Sequence, residues 1–161
     1  MRIRPAEPKD LENILSIYDT AKKFMRAHHN MTQWAGAYPS PALLLDDIAK
    51  GQLFLCEFGE KPCGVFAFIL GDDPTYALIE DGAWPSDAPY GTIHRIASDG
   101  TQKGVLKEAC DFAFNHCTHL RADTHHDNYV MQNAMVRLGF KYCGIIYVQD
   151  GTPRKAYQKD L

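Results

Sequence analysis

The sequence predicts an α/β protein whose mixed, largely antiparallel sheet is flanked by helices on both faces. Residues 92–140 alternate in the order strand, glycine-containing turn, helix, strand and helix. Residues 53–70 contain two apolar runs joined by the turn Gly59-Glu60-Lys61. An apolar run at 142–149 is followed by the turn Asp150-Gly151 and by a last predicted strand at 154–159. Such runs are typical of antiparallel hairpins. Together the three segments favour a sheet with helices packed against it.

The other elements follow in chain order. Apolar residues recur at helical spacing between Leu11 and Ala21, after Asp10, which can cap the first turn, and they predict the first helix. Residues 28–41 contain aromatic residues and prolines, which indicate a loop or a broken helix. The remaining predictions are a short helix over 42–50 ended by Gly51, an edge strand over 76–80 and a loop over 82–89.

Composition and charge limit the class of protein. The 161 residues, 45% of them hydrophobic, are expected to fold as a single domain over residues 1–161. The net charge of −3 and the pI of about 6.1 lack the positive field of proteins that bind nucleic acid or anionic membranes. No apolar run approaches the roughly 20 residues that span a bilayer, so a cytoplasmic protein is expected. The cysteines are odd in number and are expected to be reduced core thiols.

The central segment carries motifs of a known family. Gly104 lies in a turn before a predicted helix, and Gly139 and Phe140 follow Asn128 by eleven and twelve residues. Ile3-Arg4-Pro5-Ala6 precedes the first helix as an opening strand. These residues resemble the GNAT superfamily of N-acyltransferases, and the resemblance covers nearly the whole chain. It implies a GNAT-like fold that holds acetyl-CoA in a V-shaped opening between two central strands, predicted here at 90–97 and 120–124.

The turn after the first of these strands is the predicted cofactor site. Amide groups at a helix N-terminus can hold an anion, and by the resemblance this turn lies beneath the pyrophosphate, where Lys103 adds charge and Gly104 allows close approach. The backbone N–H of Ile96 is expected to stabilise an oxyanion. Taken singly, these residues could merely shape a turn or cap a helix. The residues expected to bind acetyl-CoA are Ile96, Ala97, Ser98, Gly100, Thr101, Gln102, Lys103, Gly104, Val105 and Asn128.

Two residues are candidates for the general base. His94 lies on the predicted central strand just before the thioester position, and histidine is the residue type suited to proton transfer at neutral pH. A strand histidine bonded to a neighbouring carbonyl is an equally good interpretation. Glu80 is the second candidate, acting through water, and could equally be an exposed edge carboxylate. By the resemblance a tyrosine in the second helix acts as the acid, but Met135 stands at that position. Solvent or the acidity of the thiol itself could then suffice.

Three aromatic residues are candidates for the acceptor pocket. Trp34, Tyr38 and Trp84 lie in the two predicted loops that, by the resemblance, wall this pocket, and aromatic walls suit a cationic or apolar amine. They could equally be lids over the core. The histidines at 28–29 and 125–126 lack the spacing of a tetrahedral zinc site, so no metal is expected. Exposed aromatic residues in the C-terminal hairpin make a homodimer reasonable.

The sequence therefore predicts an N-acetyltransferase that moves an acetyl group from acetyl-CoA to an amine acceptor by direct transfer in a ternary complex. The alternative is a CoA-binding sensor or inactive partner with the same fold and no turnover, an interpretation that Met135 and the altered loop favour. The identity of the acceptor amine is not predicted, because specificity resides in pocket loops for which no motif exists.

Overall fold

A computed structural model describes residues 1–161 as an open sheet with helices on both faces. The strands and helices agree with the predicted fold class. Short 3₁₀ turns precede the first helix and the fourth strand, at Pro8–Asp10 and Pro74–Tyr76. The bounds are β1 Arg2–Pro5, α1 Leu11–Ala27, α2 Pro41–Ala49, β2 Leu53–Phe58, β3 Lys61–Leu70, β4 Gly91–Ser98, α3 Val105–Ala113, β5 His119–Thr124, α4 Tyr129–Arg137, β6 Lys141–Tyr147 and β7 Pro153–Asp160.

The seven strands form one sheet in the order β1-β2-β3-β4-β5-β7-β6. Every neighbouring pair is antiparallel except β4 and β5, which are parallel. Both predicted hairpins are present, as β2–β3 and β6–β7. The sheet is therefore mixed and largely antiparallel, as the sequence predicts.

The two central strands pair only where they begin. Gly91 lies opposite Leu120 and Thr92 lies opposite Arg121, and from Ile93 onward β4 has no register partner on β5. The edge of β4 that faces β5 is thereby left without a strand partner over most of its length. The sheet opens here in the V that the sequence predicts.

The helices pack on the sheet as two separate layers. Val65 and Ala67 of β3 lie in one core cluster with the apolar face of α1 and with Leu44 of α2. The alternate residues Phe66 and Phe68 lie in a second cluster with α3 and with Met135 of α4. This alternation along β3 is the period of two expected of a strand covered on both faces. None of the helices combines the length and the apolar character needed to cross a bilayer.

The predicted edge strand over 76–80 is wrong. Tyr76 instead ends a 3₁₀ turn and is buried with Tyr90 and Ile146, and Glu80 makes only an isolated bridge with Ile145 of β6. The loop lies so close to β6 that a Cβ added to Gly82 would be 2.0 Å from the Cys143 carbonyl oxygen. Tyr76 and Ile79 pack against Ile146 of β6 without forming a strand, whereas Leu78 is exposed.

Candidate active site

The turn between β4 and α3 is shaped by its own side chains. Ser98 Oγ accepts a hydrogen bond from the Gly100 amide at 3.1 Å, and Asp99 Oδ1 accepts one from the Thr101 amide at 2.9 Å. Gly104 then takes the N-cap position of α3 with φ +91°, a conformation that residues with a Cβ seldom adopt. The chain therefore enters α3 with a fixed geometry.

A run of backbone amides in this turn has no partner within the protein. The first amide of α3 with an intramolecular bond is that of Glu108, which donates to the Gly104 oxygen at 3.0 Å, and no amide from Gln102 to Lys107 donates a hydrogen bond. Lys103 is exposed and makes no ion pair, and a Cβ at Gly104 would meet only the Met1 methyl carbon, at 3.8 Å. Amides at a helix N-terminus next to a free lysine fit a phosphate-bearing ligand.

The edge of the V is interrupted by a bulge in β4. The register with β3 passes from Val65 opposite Ala97 to Ala67 opposite His94, so that β4 contains an extra residue between them. Arg95 in this bulge has φ +51°, which is uncommon for a residue with a long side chain. Neither Arg95 nor the following Ile96 has a register partner on β3. The bulge thus alters the direction of the backbone at the predicted thioester position.

Two side chains from other helices contact the bulge. Asp47 of α2 accepts hydrogen bonds from Arg95 Nε at 3.0 Å and from Arg95 Nη2 at 2.9 Å. Tyr18 of α1 donates its hydroxyl hydrogen to the Arg95 carbonyl oxygen at 2.6 Å. Tyr18 falls within the run of apolar residues between Leu11 and Ala21 that predicts the first helix, and no role is predicted for Asp47. The only local signal in the sequence was a carboxylate on the face of α2 that becomes buried, because a buried carboxylate needs a cation packed against it.

His94 is paired with a carboxylate that the sequence analysis did not select. His94 Nε2 and Asp73 Oδ2 are 2.6 Å apart, and Nδ1 has no hydrogen-bond partner in the protein. Asp73 also accepts hydrogen bonds from the Thr75 amide and hydroxyl, at 2.8 and 2.7 Å. Burial favours the protonated carboxyl, but the bonds from His94 and Thr75 outweigh it and lower the pKa of Asp73 to about 2. The anionic Asp73 fixes the ring so that Nδ1 is left to accept a proton.

Tyr76 lies between the two sides of the V. Its ring centroid is 6.0 Å from that of His94 on β4, and its hydroxyl donates to Asp123 Oδ2 on β5 at 2.6 Å. Burial, together with the negative Asp123, raises the pKa of Tyr76 well above its ordinary value. Tyr76 therefore remains a neutral donor and links the loop before β4 to β5.

Glu80, the second candidate base, lies elsewhere. Its backbone bridges to Ile145 of β6, and its exposed carboxylate accepts a hydrogen bond from Tyr147 at 2.8 Å. Neither contact involves His94 or the bulge. The structure thus brings His94 to the V and gives Glu80 its contacts on the outer hairpin, while its role as a base stays a prediction.

Asn128 begins α4 and also holds the loop between α1 and α2. Its Oδ1 accepts from the Met131 amide at 3.1 Å, and its Nδ2 donates to Gln33 Oε1 at 3.0 Å. Thr32 Oγ1 is likewise 3.1 Å from His125 Nε2. The side chain predicted to hold the cofactor arm is therefore engaged with the protein, and it ties the loop between α1 and α2 to the C-terminal end of β5.

The three aromatic candidates for the acceptor pocket have different surroundings. Trp34 packs edge-to-face against Tyr18 with centroids 5.4 Å apart, and Tyr38 is 40% exposed. Trp84 donates Nε1 to the Tyr76 carbonyl oxygen at 2.9 Å, and the Arg121 guanidinium carbon lies 4.0 Å from its ring centroid. One face of Trp84 is therefore already covered by a cation of the protein itself. Of the three, Tyr38 is the most accessible to a ligand.

A cavity of about 310 Å³ opens at the surface of the protein, and none of its lining residues belongs to β4. It lies between α1 and the loop before α2, and Tyr18, whose hydroxyl contacts the bulge, forms part of its wall. The other lining residues are Leu15, Ser16, Asp19, Lys22, Gly36, Ala37, Pro39 and Pro41. It is large enough for a small acceptor molecule.

The ligand atoms of His125, His126 and Asp127 lie within 4.8 Å of one another, a spacing that a metal ion could bridge. His125 is nevertheless fully engaged in the protein. Its Nδ1 accepts from the Asp127 amide at 3.1 Å, so its Nε2 carries the hydrogen that faces Thr32. Burial, with smaller contributions from neighbouring charges, lowers the pKa of His125 and keeps the ring neutral in this role. These contacts explain the cluster without a metal.

Solved structures supply the comparison with known proteins, since no family profile and no curated protein sequence matches this chain. A GNAT-family acetyltransferase from Streptococcus agalactiae is 30% identical over 99% of this chain and 95% of its own, with a TM-score of 0.89. One from Listeria monocytogenes is 21% identical over 99% and 94%, with a TM-score of 0.71. The Salmonella typhimurium protein yncA, solved with its cofactor acetyl-CoA, is 18% identical over 99% and 93%, with a TM-score of 0.59.

The fold is thus that of an acetyltransferase. The two more distant structures establish the fold alone, but the Streptococcus agalactiae protein shares both sequence and fold over almost the full length of each chain. The chain belongs to the GNAT family.

Proposed function

We propose that residues 1–161 form one N-acetyltransferase domain that transfers the acetyl group of acetyl-CoA directly to an amine acceptor in a ternary complex. The observation that carries the proposal is that one stretch of chain contains two features. β4 separates from β5 and so has an open edge, and the turn that directly follows β4 contains a run of backbone amides without partners. A pantetheine arm needs an open strand edge, and a pyrophosphate needs clustered amides. One stretch of chain offers both, and the Salmonella typhimurium structure of this fold contains acetyl-CoA.

The cofactor-binding residues divide along that stretch. Ile96, Ala97 and Ser98 border the open strand edge and would line the pantetheine arm, while residues 100–105 would surround the pyrophosphate, with Lys103 supplying positive charge. Acetyl-CoA supplies an activated acetyl thioester. Asn128 contributes by fixing the loop over the end of β5, because both ends of its side-chain amide are bonded within the protein.

His94 is the proposed general base. The 2.6 Å contact with Asp73 holds its ring by Nε2, and Nδ1 is left as the proton acceptor. The amine must lose a proton as it becomes an amide, and a histidine can take that proton near neutral pH. Glu80 remains the second candidate, although its contacts are with Tyr147 of β6.

The acceptor is proposed to approach from the side of α1 and α2. Tyr38 is exposed in the loop before α2, and the cavity beside Tyr18 lies on the same side. Trp34 packs on Tyr18 and supports this wall. An amine of small-molecule size fits the cavity of about 310 Å³.

The test is steady-state release of free thiol from acetyl-CoA with a panel of amines, together with mass spectrometry of the acetylated product. Turnover with at least one amine class is expected. The variants His94→Gln and Glu80→Gln decide between the two bases: loss of His94 is expected to lower kcat by about 10²–10⁴-fold, the range for a positioned general base. Calorimetric CoA binding without turnover for every amine class would instead indicate the non-catalytic sensor.

A further inference from the structure

The bulge residue of β4 is an arginine in a conformation that favours glycine. Arg95 has φ +51°, where the Cβ of an L-residue is crowded by the backbone. A residue with a Cβ keeps such a conformation only when its surroundings hold it there. The contacts of Arg95 should therefore explain how the bulge persists.

The side chain of Arg95 is held by a two-point ion pair. Its Nε and Nη2 donate to the two oxygens of Asp47 at 3.0 and 2.9 Å, and the side chains are only 12% and 5% exposed. The planar fork of a guanidinium matches a carboxylate in this geometry and fixes direction as well as distance. Arg95 is thereby tied to α2.

The main chain of Arg95 is held independently by α1. The Tyr18 hydroxyl donates to the Arg95 carbonyl oxygen at 2.6 Å, and Tyr18 is 2% exposed. The opposing strand does not do this, because the register with β3 skips Arg95 and Ile96. The conformation at residue 95 is thus fixed from two helices.

We propose that Asp47 and Tyr18 are positioning residues that hold Arg95 in its left-handed conformation and so aim the Ile96 backbone at the bound thioester. The proposal rests on the function proposed above, in which this backbone borders the pantetheine arm. The carboxylate of Asp47 fixes the side chain, and the hydroxyl of Tyr18 fixes the carbonyl group. Both act through Arg95, and neither role requires contact with acetyl-CoA.

Two substitutions at one position test the proposal. Arg95→Ala and Arg95→Gly both remove the guanidinium and both leave Asp47 unpaired, so they differ only in a Cβ at positive φ. The glycine variant is expected to bind CoA, and to turn over, about tenfold better than the alanine variant, the factor that corresponds to the left-handed penalty. In an ordinary strand glycine would be the worse residue.

A second pair of variants asks whether position 47 acts by hydrogen bonding. Asp47→Asn keeps one acceptor for Arg95 and is expected to retain more CoA affinity than Asp47→Ala. The matched control is Arg4→Ala on the outer strand β1, which breaks the partly buried ion pairs of Arg4 with Asp10 and Glu57. It is expected to lower the unfolding temperature without changing CoA affinity.

Calorimetry with CoA and thiol-release kinetics separate the outcomes. Equal CoA affinity for Arg95→Ala and Arg95→Gly, or weaker binding by the glycine variant, would overturn the positioning role of Asp47 and Tyr18. Turnover by the wild-type protein would still support the proposed transferase. Conversely, the wild-type protein could bind CoA, and the variants could bind it in the expected order, while no amine is acetylated. That result would support the positioning role of Asp47 and Tyr18 and refute the transferase. Failure of wild-type protein to bind CoA would overturn both.

Discussion

Gly104→Ala is the most direct perturbation of the proposed pyrophosphate site. Gly104 has φ +91°, and a Cβ added there would meet only the Met1 methyl carbon at 3.8 Å, an ordinary van der Waals distance. The substitution therefore causes no clash, and its cost is conformational, about 1–2 kcal/mol for a residue with a Cβ in the left-handed region. The chain can either keep this strain or relax it by turning the amides of the turn away.

Both responses are measurable. If the strain is kept, stability falls by about 1–2 kcal/mol, and each 1 kcal/mol lowers the unfolding temperature of a protein of this size by roughly 2–4 °C. If it is relaxed, CoA affinity falls by about tenfold, because the amides no longer converge on the pyrophosphate. We expect weaker binding of CoA and little change for pantetheine, which lacks the pyrophosphate, with calorimetry at fixed ionic strength as the assay.

Gly151→Ala is the matched control. Gly151 has φ +81°, has nothing within 4 Å of an added Cβ, and lies in the turn of the β6–β7 hairpin. It should show the same loss of stability with unchanged CoA affinity. If Gly104→Ala bound CoA as tightly as wild-type protein and lost only stability, the amides after β4 would not be the pyrophosphate site.

Two further predictions concern the chemistry. Asp73→Asn keeps an oxygen that can accept the hydrogen bonds from Thr75 but removes the negative charge facing His94. We expect kcat to fall about tenfold or more, which is part of the roughly 10²–10⁴-fold effect of a positioned base, while KM for acetyl-CoA stays constant. An unchanged kcat would show that Asp73 has no part in the mechanism. Burial raises the pKa of Cys56 and Cys110 to about 12. Direct transfer therefore predicts that alkylation of the native protein leaves turnover intact, and a mass-detected acetyl-cysteine would contradict it.

Local signals in the sequence predicted most of the fold. Apolar spacing identified α1, and the short polar turns identified both hairpins, because each signal lies within the element that it predicts. The segment from Tyr76 to Glu80 was misinterpreted for the same reason. Tyr76 and Ile79 pack on β6, and Gly144 of β6 leaves room for a close backbone approach. No local pattern distinguishes that packing from strand pairing.

In the candidate site, too, local features were predicted from the sequence and contacts between distant residues were not. The turn at Gly104 is local, so the glycine and the following helix predict it. The partners of the bulge are distant, since Asp47 is 48 residues from Arg95 and Tyr18 is 77. A single sequence does not state which carboxylate meets which cation, because that depends on how α1 and α2 cross the sheet.

The structure also bears on the general acid, for which Met135 stands in place of the expected tyrosine. Met135 is fully buried in the cluster shared by α3 and α4, and a thioether has no proton to give. The phenols of Tyr18 and Tyr76, which lie beside β4, already donate to Arg95 and Asp123, and burial raises the pKa of both. They hold their protons as structural donors. A thiol pKa of about 8.5 makes the departing thiolate a fair leaving group without a side-chain acid, so the chemistry we propose requires a positioned base and a fixed backbone, which the Asp73–His94 pair and the bulge supply.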